Sequence, residues 1–236
     1  MTIVSPASIG HHRTRRPPPD TRLLLREAPL SEHGIVEAAL AWRQLRPTTF
    51  RSPLQTGSPV RQPHLPLAQT DHEPVASRLA RALTGFTWAV VAESGDGGSP
   101  RFSVTVPRND YHRVLRALTV VWRGCRRDFA PGTGQGSPGA AVALWRMALL
   151  LHPVRPGERA VQVRTTVPFA AEMLCEAAAV LRIDTSHQRT GAAHAVVIRD
   201  LRGVHRLLTL TGTPDRPATV GAARRSEWPA VLGVGR

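Results

Sequence analysis

The run Ala195-Val-Val-Ile-Arg-Asp-Leu-Arg-Gly-Val-His-Arg-Leu-Leu-Thr-Leu-Thr-Gly212 passes from strand to helix at one residue. Ala195 to Arg199 is β-branched and apolar. Asp200 can accept hydrogen bonds from the first turn of a helix, and Gly212 can supply the left-handed residue that ends one. Upstream, Ile183 to Gln188 completes a hairpin around Gly191, and Phe169 to Leu181 reads as a helix. In the strand from Ala160 to Thr166, Val161, Val163 and Thr165 alternate with Gln162, Arg164 and Thr166. Before it, Ala140 to Leu151 is an almost wholly apolar helix stopped by Pro153.

The first half repeats this order. Ser31 to Leu45 predicts a helix with Ser31 as its cap, Ile35, Ala38, Ala39 and Trp42 at helical spacing, and Pro47 as its stop. Prolines at 47, 53, 59, 63, 66 and 74 exclude a long central strand and allow short or edge strands. A helix from Pro74 to Leu83 follows, with Val75, Leu79 and Leu83 every four residues. Thr87 to Ala92 and the alternating Phe102, Val104 and Val106 then frame a turn at Gly95-Asp96-Gly97-Gly98. From Asn109 to Arg127 the helix is strongly two-faced: Val114, Leu115, Leu118, Val121 and Trp122 share one arc, and Arg113, Arg116, Arg123 and Arg127 share the opposite one. Both halves read helix, strand region, helix, hairpin, helix, with first helices near 31 and 140 and last helices near 109 and 200. The expected division is a mobile tail over 1–30, a first repeat over 31–130, a linker over 131–139, a second repeat over 140–212 and a tail over 213–236.

The 236 residues suffice for one large domain or two small ones. The formal charge is +14, and all 31 basic residues are arginine. That excess predicts attraction to a polyanion, whereas an arginine-rich codon usage would produce the same total without a binding role. The excess is spread along the chain, and only Tyr111 to Arg127 concentrates it, with arginines and no acid. Cys125 and Cys175 are the only cysteines and lack a Cys-x-x-Cys neighbour, which argues against a disulfide framework or a zinc site. No apolar run reaches the ~18 residues a membrane span needs, and Arg15-Arg16 is followed by prolines instead of an apolar stretch. A cytoplasmic protein with no membrane partner is expected.

An α-β-β-α-β-β-α unit repeated in tandem, each unit opened by a small-residue helix, resembles the two-repeat LAGLIDADG homing-endonuclease scaffold. Within that class the sequence is similar to the WhiA sporulation regulators of Gram-positive bacteria. Three stretches carry the resemblance: Ala143-Leu-Trp-Arg-Met-Ala-Leu-Leu-Leu-His-Pro-Val154, Val161-Gln-Val-Arg-Thr-Thr-Val-Pro168, and the opening run. The resemblance implies an α+β fold whose repeats form a pseudo-twofold saddle. It also implies a role in sporulation and cell-division transcription control, with DNA as partner and a regulator or transcription-machinery protein as a further one. WhiA proteins place a helix-turn-helix after the scaffold; residues 213–236 are too few for such a reader, so a scaffold-only relative is expected.

In an active LAGLIDADG nuclease each motif helix ends on an acid, and the two acids hold metal ions for phosphodiester hydrolysis. The resemblance puts His152 at that position of the second motif, and Ala41 to Pro47 in the first contains no Asp or Glu. No catalytic residue, metal or cofactor is therefore expected. His152 reads as a helix-terminal histidine, with a replacement metal ligand as the other option. The DNA-binding set is Arg101, Gln162 and Arg164 on the saddle, beside Ser103, Thr105, Thr166 and Gln188, and Arg113, Arg116, Arg123 and Arg127 on the arginine helix. The plain alternatives are a solvated arginine face and the solvent side of a half-covered sheet. A protein-interaction module that does not touch DNA and a residual endonuclease remain as other readings of the whole. Gly134 to Gly139 matches G-x-G-x-x-G but follows a helix and contains Pro138, which points to a linker. His187, His194 and His205 read as scattered surface histidines.

Overall fold

The computed structural model describes residues 21–45, 63–94, 99–154 and 160–212. The first helix, α1 (Thr21–Glu27), falls inside the stretch expected to be a tail. Its seven residues are too short to show a helical period, so only contacts reveal it: Leu25 is fully buried, and α1 packs on α3 and α5. Next comes α2 (Gly34–Gln44), with His33 at its N-cap position but making no side-chain capping hydrogen bond. Ser31 instead holds the preceding turn, its hydroxyl accepting from the His33 N–H and its carbonyl from the Gly34 N–H.

Strand β1 (His64–Thr70) lies at a sheet edge. There Pro66 removes no ladder donor that a neighbour needs, and the register shifts between Pro66 and Ala68. Helix α3 (Glu73–Ala82), strands β2 (Val90–Ser94) and β3 (Arg101–Pro107), and helix α4 (Tyr111–Asp128) complete the first unit. Strand β2 begins later than expected because Thr87 donates its hydroxyl to Asp110, 2.7 Å away, and so fastens the start of α4. On α4, Val114, Leu118, Trp122 and Cys125 are buried, as the periodicity requires.

The second unit has the same order: α5 (Pro138–Leu151), β4 (Val161–Thr165), α6 (Pro168–Val180), β5 (Ser186–Thr190), β6 (Ala193–Ile198) and α7 (Leu201–Thr211). Ser137 caps α5, so Pro138 and Gly139 belong to the helix and not to the linker. The Asp200 carboxylate accepts from the Gly203 N–H at 2.9 Å, and Gly212 ends α7 at φ 84°, as the opening stretch predicts. The Ile183 end of the expected strand instead buries its side chain in the core, and β5 starts at Ser186.

The sheets run β1-β3-β2 and β4-β6-β5, all antiparallel, so each hairpin contributes the central and one edge strand. Each described unit is α-β-α-β-β-α. The resemblance implies α-β-β-α-β-β-α, with a further strand between the first two helices of each unit; residues 46–62 and 155–159 of those intervals lie outside the described residues. Helix α3 covers one face of the first sheet and α6 one face of the second. Between them α2 and α5 pack side by side, with their N-terminal ends meeting where Ser137 Oγ lies 3.2 Å from His33 Nε2.

Small residues (Ala38, Ala39, Ala41, Ala141, Ala148) bring the two helices together. One buried ionic group crosses this interface. Glu37 accepts from Arg78 Nε at 2.6 Å and Nη2 at 2.9 Å, and from Arg146 Nη1 at 2.9 Å. The remaining donors are satisfied as buried groups must be: Arg146 Nε donates to Thr211 O, and Arg78 donates to the Ala28 and Pro29 carbonyls that follow α1. The G-x-G-x-x-G segment serves packing. A Cβ at Gly136 would overlap the buried Phe129 ring, and one at Gly139 would stand 2.7 Å from the His33 ring.

Candidate nucleic-acid interface

One face of each sheet lies under a helix; on the opposite face of the second sheet the edge-strand side chains are the exposed ones, while Ala195 and Val197 of the central strand are buried. On the second sheet, Val161 and Val163 are buried while Gln162 and Arg164 are exposed. Arg164 stands opposite Ala195, which in turn faces Gln188, so the three form one row across the sheet. Gln162, Val197 and Ser186 form the next row. Arg199 extends the same face, its Nη1 donating to Ser186 Oγ at 3.3 Å. The sequence reading missed Arg199 for this role, although it continues the period-two pattern of Ala195 and Val197. Thr166 is exposed just beyond β4. No strand of this sheet contains Asp or Glu.

The matching face of the first sheet is less basic. Arg101, Ser103 and Thr105 alternate with Phe102, Val104 and Val106, and Ser103 sits between Gln69 and Ala92. Arg101 lies 4.0 Å from Asp71, an exposed pair of small energetic weight. Thr105 donates its hydroxyl to the Val90 carbonyl. The side chains aligned here are arginine, glutamine, serine and threonine, whose donors and acceptors suit base edges and phosphates.

The four arginines of α4 are exposed but stand elsewhere. Helix α4 packs on α2 and α6, in the helical layer, so Arg113, Arg116, Arg123 and Arg127 face solvent from that layer. They are not brought together with Arg101, Gln162 and Arg164. Arg113 is engaged by Asp110 at 2.9 Å and the Phe86 carbonyl at 2.6 Å.

His152 follows the last residue of α5, with its backbone N–H donating to the Ala148 carbonyl. Burial, then the charges of Arg22 and Arg164, hold its pKa below the ordinary histidine value. Arg22 reaches in from α1, donating to the Leu150 carbonyl at 3.3 Å and contacting His72 Nδ1 at 3.2 Å. A divalent cation placed at this helix end would meet two guanidinium groups and an imidazole, where nuclease chemistry requires carboxylates. The residues present do not fit a catalytic metal. Among the described residues no group of three or more His, Cys, Asp and Glu is placed to hold one.

His187 and His194 are not scattered. Their rings stack across β5 and β6 with centroids 5.1 Å apart and Nε2 to Nδ1 at 2.9 Å. Burial pushes the Cys125 thiol up to about 11, and burial also raises Cys175, so neither is an activated nucleophile. Among the described residues no helix is long and apolar enough to cross a membrane.

No protein-family model matches the chain. It is 30% identical over 167 residues to the probable cell division protein WhiA of Micrococcus luteus, an overlap of 67% of this chain and 52% of that protein. The chain thus spans about half the length of the relative it matches. Its fold is similar to full-length DUF199/WhiA from Thermatoga maritima, with a TM-score of 0.55 and 11% identity over 81% of this chain and 60% of that one. The N-terminal LAGLIDADG domain of DUF199/WhiA gives 0.54 and 9% over 85% and 92%. Mesophilic variants of the homing endonuclease I-DmoI give 0.50 and 8% over 78% and 97%. On that sequence match and that fold, the chain is a WhiA-like protein built on the LAGLIDADG scaffold.

Proposed function

We propose that this protein is a non-catalytic, cytoplasmic regulator that binds DNA through the open faces of its two sheets and acts in the transcriptional control of sporulation and cell division. One observation carries the reading: the exposed Gln162, Arg164, Gln188 and Arg199 share one sheet face, opposite the helix, whose strands hold no carboxylate. Arginine and glutamine can each make bidentate base contacts, and arginine also neutralises phosphate. The first sheet, with Arg101, Ser103 and Thr105, supplies a weaker second half of the surface. The link to cell division rests on the WhiA relative. The non-catalytic assignment rests on His152, which the resemblance puts where the scaffold's nucleases carry an acid and whose protonation is opposed by burial and by the charges of Arg22 and Arg164.

Fluorescence anisotropy with a labelled duplex at 50 and 200 mM NaCl tests the proposal. Binding weakens steeply with salt, as counterion release demands. Arg164→Ala lowers affinity more than Arg101→Ala, because Arg101 already has Asp71 beside it. Absence of binding at 50 mM NaCl refutes DNA binding. Magnesium-dependent nicking of supercoiled plasmid refutes the non-catalytic assignment.

A further inference from the structure

The outward face of α4 is long, basic and interrupted by apolar side chains. Arg113, Arg116, Arg123 and Arg127 lie on it over about 21 Å, at 1.5 Å per residue. Val120, in the middle of the stripe, is 61% exposed. Arg116 and Arg123 make no ion pair with any described residue, and the contacts of Arg127 with Asp128 and Arg113 with Asp110 are solvent-exposed. At its C-terminal end the stripe opens on a cavity of about 360 Å³. Arg123, Arg126 and Arg127 stand round it with one carboxylate, Glu172, and Phe169 is its exposed apolar side chain, backed by the buried Phe129 and Met173. Phe169 comes from α6, is 46% exposed, and has the Arg126 guanidinium 3.6 Å over its ring. That cation-π contact fixes one guanidinium at the pocket rim.

We propose that this face docks an acidic amphipathic helix of a partner protein, with an apolar side chain of the partner seated in the pocket beside Phe169. Charge complementarity selects the acid. Guanidinium groups three, four and seven residues apart match carboxylates at the same spacings on a partner helix of roughly fourteen residues. The apolar elements favour a peptide over a nucleic acid. The exposed Val120 gains nothing from phosphates, and Arg126 already covers one face of Phe169 against a stacking base. A duplex seated on the open sheet faces leaves this layer free, so the inference stands or falls independently of DNA binding.

The test uses the full chain and a fluorescein-labelled sixteen-residue peptide carrying Glu at helical spacing with two Leu and one Phe on the same face, read by anisotropy at 50 mM NaCl. The peptide binds. Arg123→Glu and Phe169→Ala, both at exposed sites, each weaken it tenfold or more, as does replacing the peptide's Leu and Phe by Ser. Arg164→Ala leaves binding unchanged. Circular dichroism of the variants checks that the fold is retained. Absence of peptide binding overturns the proposal. So does binding insensitive to Phe169→Ala, or a duplex that displaces the peptide and loses its own affinity through Arg123→Glu; that last outcome makes the face a nucleic-acid surface.

Discussion

Glu37 stands between two buried guanidinium groups, and its replacement has a definite cost. In Glu37→Ala, Arg78 and Arg146 lose the charge that compensates their desolvation, while the carbonyls of Ala28, Pro29 and Thr211 satisfy only part of their donors. Breaking one side of such a buried group costs about 3–5 kcal/mol, so urea unfolding should show the variant losing that much. A loss under 1 kcal/mol would mean that water reaches the group. His152 gives a pH signature of known sign. Its folded-state pKa lies below the ordinary 6.5 because of burial and the charges of Arg22 and Arg164. The unfolded chain therefore takes up a proton first on acidification. The stability associated with the neutral imidazole is complete above 6.5 and is lost progressively as the pH falls below it. In thermal melts between pH 7.5 and 5, His152→Gln should lose less stability than the parent; parallel curves would place His152 in free contact with solvent. Neither role is written in the local sequence. Glu37 looks like an ordinary polar residue of an amphipathic helix, and its partners lie 41 and 109 positions away.

Elements with a sustained period were legible, and those defined by contacts were not. Helix α4 shows its buried stripe at Val114, Leu118, Trp122 and Cys125, and the hairpin strand β3 shows its alternation, because each repeats a period several times. Asp200 and Gly212 marked both ends of α7 through local chemistry. Helix α1 repeats nothing: Leu23, Leu24 and Leu25 are consecutive, and only Leu25 is fully buried. The arginines around them resemble those of a polar tail. This is where the sequence reading and the structure differ most, and Leu25→Ala tests the difference. If α1 is docked on α3 and α5, the variant loses roughly 2–5 kcal/mol, the usual cost of emptying a core leucine site. A mobile tail would make the substitution silent in the same urea titration. The candidate site was legible in part for the same reason. Gln162 and Arg164 alternate with buried valines, whereas Arg199 joins them only once the pairing of β6 with β5 is fixed.

At the scale of the molecule, the order of elements revealed the duplication, but sequence could not show how the halves are joined. The join is α2 against α5, closed by alanines, by the His33 and Ser137 contact at one end, and by Glu37 with Arg146 in the interior. The ionic pair also makes the join specific. A second copy of either repeat in place of its neighbour would remove one member of the pair and leave the other buried charge without it, which favours the pairing within one chain. The same contacts predict one folding unit. Helix α5 touches α1, α2, α3, α6 and α7, so opening α5 exposes core from both repeats. Native-state hydrogen exchange read by mass spectrometry should therefore give the amides of α2 and α5 a common opening free energy, the highest in the protein. Glu37→Ala should lower both together. If α2 exchanged at a markedly lower free energy than α5, or if the substitution lowered α2 alone, the repeats would be two separately stable units that merely touch, and the sheet faces would have no fixed geometry to present to a duplex.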